Sequence, residues 1–112
     1  MQAIGIVRET KNTLRVYVTD ALGNPYSLNI GDEIALSVKK PRSESQRIFC
    51  VKGTEREPGY YYFDVLSTHT DGVPVGEYLY DVAARVDGEL VNVVWPGSFF
   101  IVENATELEC FG

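Results

Sequence analysis

Apolar and polar residues alternate with a period of two along most of this chain. TLRVYVT, residues 13–19, places Leu14, Val16 and Val18 on one face and Arg15, Tyr17 and Thr19 on the other. EIALSVK repeats the pattern with Ile34, Leu36 and Val38 against Glu33, Ala35, Ser37 and Lys39. Such alternation marks a half-buried strand. RIFCVK is a continuous apolar run and predicts a more fully buried strand, with Cys50 as a core thiol. YYYFDVLS is aromatic and β-favouring. If Tyr61, Phe63 and Val65 form its core face, Tyr60 and Tyr62 lie outward. YLYDVAARV, ELVNVVW and SFFIVE follow, and AIGIVR predicts an eighth, edge-type strand. No long window carries a 3.6-residue period, so short strands at regular spacing predict an all-β sandwich or barrel.

The gaps between strands carry turn chemistry. DALGNP, IGDE, REPGY, DGVPVG and WPGS supply Gly, Pro, Asn and Asp, and KPRSES is the segment most prone to disorder. Asp87-Gly88 is a two-residue hairpin signal of the I′ type, which needs positive φ at both positions. A tight turn there fixes a register. Val86 faces Glu89, Arg85 faces Leu90, Ala84 faces Val91, Ala83 faces Asn92, Val82 faces Val93, Asp81 faces Val94, and Tyr80 faces Trp95. Directly paired residues share a face. The inner face is then Tyr80, Trp95, Val82, Val93, Ala84 and Val91. Asp81 falls on the outer face beside Asn92, where an ionised acid need not be desolvated. Leu79, Leu90, Val94 and Ala83 make that outer face mixed rather than polar.

Length and composition narrow the picture without changing it. The 112 residues predict a single domain spanning 1–112, and a hydrophobic share of 45% is that of an ordinary globular protein. The net charge of −6 disfavours a phosphate backbone. The densest basic stretch, KKPRSESQR, lacks aromatic residues for base stacking and reads as a solvated loop. No apolar segment reaches bilayer length. MQAIGIVRETK lacks the basic and apolar regions of a secretory signal, so an oxidised Cys50–Cys110 pair is not expected.

Candidate chemistry is sparse. The single histidine, His69, sits in the polar run STHTDG without a GxSxG elbow or a Cys-His signature. One histidine and two separated cysteines do not make a zinc set. Asp20, Asn24 and Asp32 match no EF-hand spacing and read as turn residues. Asn104-Ala105-Thr106 fits a glycosylation sequon without the signal peptide that would give it meaning. The expectation is no catalytic residue, no cofactor and no metal.

The segment PVGEYLYDVAARVDGELVNVVWPGSFFIVENAT resembles small β-sandwich domains of tailed-phage and prophage structural proteins, nearest the N-terminal domain of phage baseplate upper proteins. The shared pattern is Gly76, Tyr78, Tyr80 and Asp81, then Gly88, then Val91 and Val93, then Gly97, Phe99 and Ile101, closed by 102–106. VYVTDALGNPYSLNIGDEIALSVKK looks like the first half of the same family. Gly76-x-Tyr78 also resembles the penultimate strand of immunoglobulin-like sandwiches, with Tyr80 where a disulfide cysteine would stand. The resemblance implies an immunoglobulin-like antiparallel β-sandwich of about 7–8 strands. It implies a non-enzymatic tail or baseplate module that binds copies of itself or other virion proteins, neither nucleic acid nor membrane. Such a protein would be made in the bacterial cytoplasm, enter the virion and form a homo-oligomer. The candidate interface residues are Tyr60, Tyr62 and Leu66 on one strand, and Leu79, Leu90 and Val94 on the hairpin's outer face. The alternative is a carbohydrate-binding or adhesin-like sandwich using exposed Tyr60 and Tyr62.

Overall fold

A computed structural model describes residues 3–41, 47–106 and 108–112. Most of the KPRSES segment therefore lies outside the described residues. The chain forms seven strands: β1 (Ile4–Val7), β2 (Asn12–Tyr17), β3 (Glu33–Lys39), β4 (Arg47–Glu57), β5 (Tyr60–Val65), β6 (Gly76–Val86) and β7 (Glu89–Val102). Two short 3-10 turns, Ser67–His69 and Leu108–Phe111, are the only helical pieces among the described residues.

The strands hydrogen-bond in the order β1-β7-β6-β3-β4-β5-β2. All pairs are antiparallel except β1 with β7, which is parallel, so the sheet is mixed rather than purely antiparallel. The last two expected strands, ELVNVVW and SFFIVE, are one continuous β7. The two end strands, β1 and β2, are consecutive in sequence. The sheet curls until a cleft lined by Ile4 on one side and Leu14 and Val16 on the other separates them. The result is a nearly closed barrel.

β4 makes the curl. Its first half, through Lys52, pairs with β3, and from Gly53 onward it pairs with β5. One strand thus serves both walls. The alternation read from sequence fills the interior: Ile34, Leu36 and Val38 from β3, Tyr61, Phe63 and Val65 from β5, and Tyr80, Val82 and Ala84 from β6 are all buried. Phe99 meets Phe49 and Tyr80 edge-on, at centroid distances of 5.9 and 6.1 Å, a favoured aromatic geometry. β4 itself corrects the reading of RIFCVK. Phe49 and Val51 are buried, but Cys50 between them is exposed, because even an apolar run keeps the two-residue alternation when one face meets solvent.

Buried hydroxyls tie loops to this core. Tyr61 donates to the Tyr26 carbonyl at 2.7 Å, and desolvation, then the Glu55 charge, pushes its phenol up to about 12. Tyr78 donates to the Pro74 carbonyl at 2.5 Å. A buried hydroxyl left without a partner would cost about 1–3 kcal/mol, so each bond also fixes where its loop runs.

Candidate functional site

The β6–β7 hairpin exposes five large apolar side chains, Leu90, Val91, Trp95, Phe100 and Val102. Asp87 and Gly88 have φ of 52° and 80°, the I′ turn that the sequence predicts. The first four pairs hold as expected, from Val86 with Glu89 to Ala83 with Asn92. Beyond them β7 bulges twice. Val82 pairs with Val94 rather than Val93, and Tyr80 pairs with Gly97 rather than Trp95. The first extra residue exchanges the expected faces of Val94 and Trp95, and the second restores the alternation from Gly97 onward. Val94 turns inward and packs against the core, and Trp95 is 77% exposed. Pro96 accounts for the second bulge: it has no backbone N–H to give a ladder and is found in sheets at edges and bulges.

β7 is also half uncovered on the side away from β6. Among the described residues β1 pairs with 99–102 and no strand pairs with 89–98 on that side, an open edge. Leu90, 82% exposed, and Trp95 lie on that stretch, while Phe100 and Val102 continue the exposed apolar row. Glu89 is the only charge from 89 to 98.

On the outer face, Asp81 sits opposite Ser37 of β3. Asn92 Nδ2 donates to its carboxylate at 3.4 Å. Lys39, Arg47, Leu79 and Pro96 complete a hollow of about 360 Å³ around it. Asp81 is half-buried there, which corrects the expectation of a freely solvated acid. Burial pushes its carboxyl above the ordinary value, and the Lys39 ammonium pulls it part of the way back. The sign follows. A carboxyl raised by folding binds its proton more tightly in the native state, so stability falls as pH rises through its native pKa and the deficit persists at neutral pH. Asp81→Asn keeps an acceptor for Asn92 and removes the charge. It is expected to raise the thermal midpoint at pH 7 and to leave it unchanged near pH 3, as read by calorimetry at the two pH values.

The other predicted interface residues do not converge on this hollow. Tyr60 and Tyr62 point out of β5 as expected, three strands away in the sheet order β6-β3-β4-β5. Tyr17 stacks on Tyr60 at 4.6 Å and the Arg15 guanidinium lies 4.8 Å from the same ring. Arg56 covers Tyr62 at 4.6 Å, and the Tyr62 hydroxyl donates to Glu57 at 3.0 Å. Both rings are therefore engaged within the domain. Leu66 is 45% exposed beside the Ser67–His69 turn, Leu79 is half-buried in the wall of the hollow, and Leu90 stands free.

The remaining polar groups have structural work. His69 Nδ1 accepts the Leu66 N–H at 2.8 Å, and its ring lies 5.6 Å from Phe49. Asp20 accepts the N–H groups of Leu22 and Asn24 at 2.9 and 3.0 Å, and Asp32 accepts that of Asn29 at 3.3 Å, which makes them turn formers. Among the described residues no three His, Cys, Asp or Glu side chains gather as a metal set. Glu33 bonds Lys52 at 2.6 Å and also Arg85, joining β3 to both of its neighbours. Those two cations hold its carboxyl below the ordinary range, the Lys52 bond most of all.

No family profile and no curated protein sequence matches the chain. A crystal structure of a candidate glycoside hydrolase from Bacteroides vulgatus aligns with 91% of this chain at a TM-score of 0.51 and 12% sequence identity. This chain spans 17% of the length of that protein. At such identity the likeness is one of β-fold alone.

Proposed function

We propose that this domain is a non-enzymatic assembly module of a tailed phage or prophage, a tail or baseplate building block that works through protein–protein interfaces. The observation that carries this reading is the open half-edge of β7 with Leu90 and Trp95 in solvent. A run of unpaired backbone groups flanked by exposed apolar side chains is a template for another chain, here on the stretch from Glu89 to the first bulge. Trp is also the residue most often found as an interface anchor. The copies or neighbouring virion proteins that cover it would be met after synthesis in the bacterial cytoplasm.

The fold reads more finely as an immunoglobulin-like sandwich, with β4 dividing its pairing between one wall containing β1, β7, β6 and β3 and another containing β5 and β2. The Tyr78 bond to Pro74 supports this. Tyr78 lies near the start of the penultimate strand, two residues before Tyr80, and bonds back to a carbonyl four residues upstream, as the tyrosine corner of that fold does. Fold alone does not carry function.

Exposed Trp95 favours a second reading, a carbohydrate-binding sandwich, and the name of the Bacteroides neighbour points the same way. Tyr60 and Tyr62 already carry Arg15 and Arg56 on their rings, so Trp95 is the better platform for a sugar.

Sedimentation equilibrium separates the two. The wild-type protein is expected to self-associate, and Leu90→Glu with Trp95→Ser to weaken association at least a hundredfold. That corresponds to losing one anchor worth about 2–4 kcal/mol, and the circular dichroism spectrum should not change. A wild-type monomer at every attainable concentration, with glycan-array binding lost in Trp95→Ser, would replace the assembly reading with the carbohydrate one.

A further inference from the structure

The cleft between β1 and β2 and the C-terminal segment are two unfinished surfaces of one chain. The cleft holds about 670 Å³, within the range of about 300–1,000 Å³ typical of binding sites. Ile4, Leu14 and Val16 line it, Tyr80 and Val94 reach it from the core side, and Arg15, whose guanidinium rests 4.8 Å from the Tyr60 ring, is the only charged residue along its walls. After β7 the chain is held at its start, where Glu103 meets Arg8 at 3.2 Å and Asn104 is half-buried, but residues 108–112 are all exposed. Leu108 is 91% and Phe111 81% exposed, and the Leu108–Phe111 turn buries no residue. In a 3-10 turn positions i and i+3 eclipse, so Leu108 and Phe111 project from one side as an apolar pair. The charges beside them, Glu107 and Glu109, are both acidic.

We propose that the cleft of one copy takes the 104–112 segment of a second copy, head to tail, with Leu108 and Phe111 entering between β1 and β2 and the acidic flank meeting Arg15. Charge and direction single out this occupant. On a protein of net charge −6 an acidic segment is repelled by most of the surface, and the cleft offers it apolar walls with one cation. β1 runs parallel to β7, and Val7 lies beside Val102, so the chain leaves β7 heading away from Ile4. To fill its own cleft the segment would have to reverse along the whole of β1. A neighbouring copy imposes no reversal. Each copy then donates one plug and receives one, a heterologous contact that closes as a ring or grows as a chain. The inference rests on the assembly reading above and specifies its geometry.

The test uses the full chain under reducing conditions, so that exposed Cys110 forms no bridge. Leu108→Glu with Phe111→Glu disables the plug, and Arg15→Glu disables the cleft; all three side chains lie at the surface. Sedimentation velocity should show each variant folded and at least tenfold weaker in self-association. In a Leu90→Glu, Trp95→Ser background, which silences the β7 edge, an equimolar mixture of the two should form a heterodimer and stop there, because one sound plug and one sound cleft remain. Arg15→Glu combined with Glu109→Arg should recover part of the lost association. If the plug variant assembles like wild type, while Leu90→Glu with Trp95→Ser does not, the head-to-tail contact is wrong and the assembly reading survives. If both variants are weak but their mixture forms no heterodimer, the segment acts elsewhere than in the cleft. A wild-type monomer at all concentrations overturns both readings.

Discussion

Gly53→Ala is expected to destabilise the domain by about 1–3 kcal/mol, the usual cost of overpacking a filled core. For a chain of this length that is roughly 4–15 °C in Tm. Gly53 is where β4 passes from β3 to β5, and it pairs directly with Phe63. A Cβ at this position would fall 2.4 Å from Cε1 and 2.8 Å from Cζ of the Phe63 ring. The ring is fully buried, so it cannot swing out into solvent without losing its core contacts. The backbone of Gly53 is not in the left-handed region, so the cost arises from space alone. Two controls isolate it. Gly5→Ala places a Cβ no nearer than 3.9 Å to any neighbour and should be neutral or slightly stabilising. Phe63→Leu on its own creates a cavity, but combined with Gly53→Ala it should cost less than the sum of the two, with a coupling of about 0.5–3 kcal/mol. Chemical denaturation of the four proteins measures this cycle. A Gly53→Ala protein as stable as wild type would mean that the Phe63 ring does not lie across the crossover.

That crossover also marks where the sequence stops being legible. The two-residue period assigns inward and outward faces correctly for β3 and β5, because burial on one face dictates alternation locally. Asp87-Gly88 fixes four pairs of the hairpin for the same local reason. The hollow around Asp81 has no local signature. It exists because β3 brings Ser37 opposite Asp81, a pairing between segments far apart in the chain, while also holding Lys39 opposite Arg47. The parallel docking of β1 on β7 is equally non-local, and it is what leaves residues 89–98 as an open edge. A glycine within a strand pattern signals a close approach of another group, and a proline signals a bulge. Gly53 and Pro96 therefore held usable information, although neither says which residue approaches or how many residues are inserted. The bulge at Val93, which no residue type announces, is what interchanges Val94 and Trp95.

Val94→Glu tests that interchange directly. With an unbroken ladder Val94 would stand beside Asp81 in solvent, and a glutamate there would leave folding intact. With the observed bulges Val94 faces fully buried Val82 and packs on the core, so the substitution places a carboxylate without a partner against apolar side chains. Burying an unpaired charge is among the few single changes that cost several kcal/mol. Because Val94 is only half-buried, the expected loss is about 2–3 kcal/mol. It should shrink toward pH 4, where the introduced carboxyl takes up a proton and no longer needs water. Trp95→Glu is the mirror experiment. A residue 77% exposed on the bulge should tolerate the charge, with a change in stability within about 0.5 kcal/mol. Urea titrations at pH 7 and pH 4 read all of this. A stable Val94→Glu protein beside an unfolded Trp95→Glu protein would mean that β7 runs straight past Pro96. Trp95 would then lie inside against Tyr80, and the exposed edge that carries the assembly reading would lose its anchor.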